Sequence, residues 1–148
     1  MAQYGRPDEA ILGLPYGLDF LVESYPASAD ITPGRPVYQT PGTPGSCKGT
    51  YEVGDVFIGV AINRQYSDND SVGTYKQYDV VNVLKKGSIC VQVADAVTTA
   101  PAAAYATSAG LFSATTSGNY DVGAMFRTNQ ATVSGLAVVE IDAPVVVA

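Results

Sequence analysis

Seven of the nine prolines (Pro7, Pro15, Pro26, Pro33, Pro36, Pro41 and Pro44) lie before residue 50, and this divides the chain in two. Proline fixes φ and drives the preceding residue out of the helical region, so stretches such as Thr32-Pro33-Gly34-Arg35-Pro36 and Thr40-Pro41-Gly42-Thr43-Pro44 leave little room for a helix. Residues 1–50 therefore read as an extended, irregular N-terminal arm. Residues 51–148 read as a folded core domain, and a length of 148 residues is about one domain's worth.

Beyond the arm the pattern is that of short strands. Val56, Ile58, Val60 and Ile62 recur at period two, which predicts a strand with one buried face. The polar stretch 64–73 reads as an exposed loop. Residues 78–84 and 88–93 flank Lys85-Lys86-Gly87 and suggest a β-hairpin whose inner face carries Ile89, Val91 and Val93, leaving Cys90 on the other face as a semi-buried side chain. Pro101 and Thr98-Thr99 interrupt the alanine-rich segment 94–110 before a helical face develops, so a loop and a short strand near 103–107 are expected. Further strands are expected at 111–115, 123–128 and 136–141, with a turn at 117–121 and Pro144 stopping the last. Six to eight short strands separated by turn residues predict an all-β fold: a small jelly-roll, β-barrel or sandwich of antiparallel strands. No fixed repeat argues for a solenoid or propeller.

Composition narrows the function. Apolar residues make up 47% of the chain and charged residues 15%, which suits a folded protein and not a disordered one. The net charge of -6 argues against a nucleic-acid surface, which needs Lys and Arg to neutralise phosphates, and against an anionic membrane face. The apolar stretch 11–22 contains Pro15, two glycines and Asp19 with no basic segment before it, unlike a secretory signal. No run reaches transmembrane length, so a soluble protein made in a cytosol is expected. Cys47 and Cys90 are too few for a disulfide framework and are expected reduced.

The chemistry-bearing residue types are sparse. With no histidine, Ser-His-Asp and Cys-His nucleophiles and His-containing metal sites are excluded, and no phosphate-loop motif occurs. A carboxylate pair drawn from residues such as Asp95 and Glu140 is the remaining catalytic option. Most acidic residues lie in arm or loop sequence, however, and Glu140 alternates with apolar neighbours like an outward strand residue. Asp68, Asp70, Gly73 and Asp79 match positions one, three, six and twelve of a calcium loop. Val72 occupies a ligand position, Asp79 replaces the bidentate Glu, and the flanks read as strands, so a polar loop is the better account. No catalytic, metal or cofactor site is therefore assigned.

Ten tyrosines and no tryptophan leave aromatic contact as the remaining lead. Tyrosine joins apolar area to a hydrogen-bonding tip and is enriched at interfaces. Ordering a residue costs about 1 to 2 kcal/mol, so a long arm stays fixed only if its apolar groups are buried, against the core or a neighbour. Tyr4, Leu12, Leu14, Tyr16, Phe20, Tyr25 and Tyr38 are the expected partner-interface residues.

Four segments, Gly54-Asp55-Val56-Phe57-Ile58-Gly59-Val60, the run from Val81 to Val91, Gly123-Ala124-Met125-Phe126-Arg127-Thr128, and Gly135-Leu136-Ala137-Val138-Val139-Glu140-Ile141, carry a resemblance to the structural cement, or decoration, proteins of tailed-phage capsids. The likeness covers roughly residues 50–142 and lies in a cadence of strands and glycine turns. It implies a non-enzymatic β-barrel or jelly-roll on the outer capsid surface of a bacteriophage virion, made in the bacterial host cytoplasm. It also implies a homo-oligomer, dimer or trimer, that clamps adjacent major capsid protein subunits without touching nucleic acid or membrane. The alternative is a β-sandwich carbohydrate- or receptor-binding module of a virion fibre, with tyrosines as stacking platforms.

Overall fold

The computed structural model describes residue 13, residues 15–62 and residues 74–147, with the backbone alone for 15–20. Among these residues there is no helix. Nine strands occur: β1 (Pro15–Pro26), β2 (Pro36–Gln39), β3 (Val56–Ala61), β4 (Val80–Gln92), β5 (Ala102–Ala106), β6 (Phe112–Ser113), β7 (Tyr120–Phe126), β8 (Leu136–Asp142) and β9 (Val145–Val146). They form one antiparallel sheet in the order β2-β3-β4-β8-β7-β5-β6, with β1 added to β4 and β9 to β3. The sheet curls: Val93, just past β4, bridges Phe112 of β6, and the Ala94 N–H donates to the Phe112 carbonyl at 2.7 Å. The all-β, antiparallel expectation holds.

The core lies in two clusters on opposite faces of β3. Phe57 and Val60 join Tyr38, Leu84, Ile89, Phe112, Phe126 and Val139 inside the curl. Ile58 and Ala61 instead join Ala27, Ile31, Val37, Cys47, Tyr75 and Val81 on the other side. The expectation that Ile58 and Val60 share a face is thus corrected, and the reason is a bulge. Val37 pairs with Gly59 but Tyr38 pairs with Phe57, leaving Ile58 as an extra residue that shifts the alternation by one. Gly59 holds this bulge at φ +142°, where an added Cβ would fall on the Leu84 carbonyl oxygen and 2.7 Å from Val83 Cγ1.

The expected hairpin over 78–93 is also corrected. Lys85-Lys86-Gly87 lies inside the 13-residue β4, which runs on without turning. Lys86 pairs with Leu21 on one edge and Asp142 on the other. Leu21 pairs with Lys86 and Val22 with Leu84, so Lys85 is the extra residue of a second bulge. Leu84 and Ile89, an odd number of residues apart, consequently pack into the same cluster. Cys90 is fully buried rather than semi-buried. Tyr120 and Asp121, expected in a turn, begin β7.

The described part of the expected arm is woven into the sheet. β1 pairs along β4, β2 pairs with β3, and Ala27, Ile31, Val37, Tyr38 and Cys47 are core residues. The apolar groups of this Pro-rich sequence find much of their burial within their own chain, which is how its ordering is sustained.

Candidate interaction surface

The chemically distinctive side chains are engaged in holding loops and strands together. Asp55, 1% exposed, receives the Lys48 ammonium at 2.9 Å and the Glu52 N–H at 2.8 Å on Oδ2. Lys48 also meets Glu52 Oε1 at 2.7 Å. Burial acts to raise the Asp55 pKa, but the Lys48 and Glu52 contacts outweigh it and hold the carboxyl below its usual range. Burial acts to lower the Lys48 pKa, but the Glu52 and Asp55 carboxylates outweigh it and raise it. Glu52 and Asp55 close a tight turn, the Asp55 N–H donating to the Glu52 carbonyl at 2.9 Å. This turn carries Val53, 97% exposed.

The other carboxylates have equally local roles. Asp95 Oδ2 accepts the Ser113 hydroxyl at 3.1 Å, and Glu140 pairs with Arg127 at 2.9 Å in the open. Asp79 Oδ2 accepts the Lys76 N–H at 2.9 Å. Asp68, Asp70 and Gly73 of the calcium-like spacing lie outside the described residues. Among the described residues no group of three or more Cys, Asp or Glu side chains is arranged to hold a metal.

A cavity of about 210 Å³ lies beneath the 40–46 loop, lined in part by Ser28, Gln39, Thr43 and Cys47. The Gln39 amide donates to the Pro44 and Ser46 carbonyls at 2.8 and 3.1 Å, which folds the loop over it. Cys47 and Cys90 are free and buried, and burial pushes both thiols up to about 11, so neither is a thiolate near neutral pH.

Of the expected interface residues, Tyr4, Leu12 and Leu14 lie outside the described residues, and Tyr16 and Phe20 lie on β1, where the backbone alone is described. Tyr25 is half-buried. Its hydroxyl donates to Glu23 Oε1 at 2.6 Å and accepts from Lys85 Nζ at 3.1 Å, and Lys85 also meets Glu23 Oε1 at 2.9 Å. The Tyr25 hydrogen bond, then the Lys85 contacts, lower the Glu23 pKa. Tyr38 belongs to the chain's own core: it is 1% exposed, and its ring meets Tyr51 and Phe57 edge-on at centroid distances of 5.4 and 6.1 Å. A side chain so enclosed offers no surface to a partner.

The apolar groups that do face outward are mostly ones that sequence reasoning missed. Leu21, Val22, Val53, Tyr78, Val80, Met125, Val133 and Val146 are all exposed. The available signals were small: Val53 sits between Glu52 and Gly54 at a turn, and Leu21-Val22 is an adjacent apolar pair, which a strand must divide between its two faces.

The described residues thus form a curled antiparallel sheet whose charged groups brace turns and strands and whose exposed apolar groups are scattered. Comparison with known proteins narrows the class. The family described as "Structural cement protein (E217 gp24/Pam3 gp6)" matches residues 17–142. The chain belongs to this family of phage structural cement proteins, which gives it a cement, or decoration, role in the capsid and a place in the virion. A chain of the solved structure described as "The capsid of Myoviridae Phage XM1" shares the fold, with TM-score 0.73, 17% identity, and 91% of either chain covered. Among curated proteins, none matches the sequence. The family assignment does not favour the carbohydrate- or receptor-binding alternative.

Proposed function

We propose that this protein works on the outer surface of the capsid, where it clamps adjacent major capsid protein subunits by contact alone and catalyses no reaction. The observation that carries this reading is the match to a structural cement family over residues 17–142. The net charge of -6 supports the outer face, because the inner face meets packaged DNA phosphates. The clamping contacts come from exposed aliphatics such as Leu21, Val22 and Val53, together with the N-terminal Tyr4, Leu12, Leu14, Tyr16, Phe20 and Tyr25. Copies assembled as a dimer or trimer multiply weak contacts through effective concentration. Synthesis in the bacterial host cytoplasm, with both cysteines reduced, fits this assembly route.

Clamping works by raising the free energy needed to separate neighbouring shell subunits. Each 1.4 kcal/mol or so added across a junction slows its opening about tenfold. Particles assembled without the protein should therefore release their DNA at least about tenfold faster at a fixed elevated temperature, and adding the purified protein should restore the slower rate. Equal release rates with and without the protein would rule out clamping.

A further inference from the structure

Both cysteines are free and buried, so no disulfide ties distant strands of this sheet together. A pair of tyrosines is placed to do so. Tyr51 lies in the segment that Lys48 and Asp55 brace ahead of β3, and Tyr120 opens β7. In the sheet, β3 and β7 are separated by β4 and β8. The curl nevertheless brings the two rings together, with centroids 4.3 Å apart and planes at 40°. Aromatic pairs usually keep their centroids about 4.5 to 7 Å apart, so this contact is a close one. The tilt also brings one pair of ring edges nearer than the centroids, which puts ring carbons of the two residues in van der Waals contact.

The surroundings single out these two rings. Both pack against the main core cluster while remaining partly exposed, so water and a small reagent reach them. Tyr38 is near as well, but it meets Tyr51 edge-on at 5.4 Å and is 1% exposed, and its hydroxyl has no hydrogen-bond partner to take a proton. Among the described residues, Tyr25, Tyr78 and Tyr105 meet no other tyrosine ring.

We propose that Tyr51 and Tyr120 are an oxidative cross-linking site, at which a one-electron oxidant joins the two rings within a single chain and staples the curl. Each phenol gives one electron to the oxidant and its hydroxyl proton to water. The two phenoxyl radicals pair their electrons in a carbon–carbon bond between positions ortho to the oxygens. The hydrogen on each of those carbons then moves to the oxygen and restores two phenols. Two electrons and two protons leave in all, and a persulfate ion that takes the electrons leaves as two sulfates. Because the rings already touch, coupling proceeds at the high effective concentration of an intramolecular reaction and outruns other partners.

The product closes the curl covalently. Unfolding must separate the segment before β3 from β7, and a bond between residues so distant in sequence restricts the unfolded chain as a disulfide does. The fold need not move, so an oxidant converts a packing contact into a permanent one.

The test uses the purified full-length protein at low concentration, illuminated with a ruthenium tris-bipyridyl photosensitiser and persulfate. Digestion of the monomer fraction should yield a peptide pair joined through Tyr51 and Tyr120, lighter by two hydrogen atoms than the separate peptides. It should be at least about tenfold more abundant than any other tyrosine pair. The same treatment in denaturant should remove that preference, because the contact is gone. Tyr51→Phe and Tyr120→Phe keep the ring packing and should each abolish the link, whereas Tyr78→Phe, at an exposed ring, should leave it. The cross-linked monomer should melt about 5 °C or more above the untreated protein. A monomer without the Tyr51–Tyr120 link, an equal yield after denaturation, or linkage mainly through other tyrosines would overturn the site. A cross-linked monomer that melts no later would overturn its role as a staple. Should either phenylalanine variant not fold, the peptide map of the wild type alone decides.

Discussion

Gly59→Ala is expected to cost about 3 kcal/mol or more of folding stability and to lower the melting temperature by roughly 6 to 12 °C. Two effects act together at this residue. The φ of +142° is a conformation that side-chain-bearing residues rarely adopt, and the new Cβ would meet the Leu84 carbonyl oxygen, a backbone atom that cannot swing aside. Relief requires β3 and β4 to separate or the bulge to move. Moving the bulge would reverse the alternation that sends Phe57 and Val60 to one cluster and Ile58 and Ala61 to the other. Gly54→Ala is the informative comparison, since its φ is also positive at +95° but nothing lies within 4 Å of the added Cβ. It should cost only about 1 kcal/mol, from backbone strain alone. Thermal unfolding of both variants measures the difference; equal losses would mean that crowding against Leu84 contributes nothing.

Asp55→Ala is the second large effect, expected at about 3 kcal/mol. Removing one partner of a buried ion pair usually costs about 3 to 5 kcal/mol, and the low end applies because Lys48 keeps Glu52 as a neighbour. The pH dependence has a definite sign. The Asp55 pKa is lowered on folding, so its stabilisation is fully present above the unfolded carboxylate pKa of about 3.9 and is lost as pH falls through the folded value. Lys48 shifts the other way, so its share is present below the unfolded lysine pKa of about 10.4 and is lost as pH rises through the folded value. Chemical denaturation should show the full gap between wild type and Asp55→Ala at pH 7 and a progressively smaller gap below about pH 4. A gap that does not change with pH would mean that the charge on Asp55 is not what stabilises the turn.

The sequence was most legible where a strand has one buried and one open face. β8 illustrates this: the expectation of a strand over 136–141 meets an observed Leu136–Asp142 in which Ala137, Val139 and Ile141 are buried and Glu140 and Asp142 are exposed. It was least legible where a bulge breaks the alternation. The residues that look like a turn, Lys85-Lys86-Gly87, are also suited to a bulge, and what decides between the two is pairing with β1 and β8, which are distant in sequence. The described part of the Pro-rich leader shows a related effect. Pro15 and Pro26 stand at the two ends of β1, and Pro36 begins β2, positions where a missing N–H does least harm. Punctuation that reads locally as an irregular arm is compatible with strand boundaries.

The interaction surface was less legible than the fold. An aromatic side chain in Pro-rich sequence does not reveal whether its own sheet will cover it: Tyr38 is enclosed by Tyr51 and Phe57, while Tyr25 remains half open beside Lys85. Exposed aliphatics such as Leu21 and Val22 look in sequence like core residues. What shows that they are not core residues is their exposure in the folded chain.

The central claim is that the protein holds neighbouring shell subunits together from outside, and a density map of the assembled particle tests it most directly. The account predicts density for this curled sheet on the outer surface, spanning the boundary between adjacent major capsid protein subunits. Density confined to a single subunit, on the DNA-facing side, or on a fibre would contradict it.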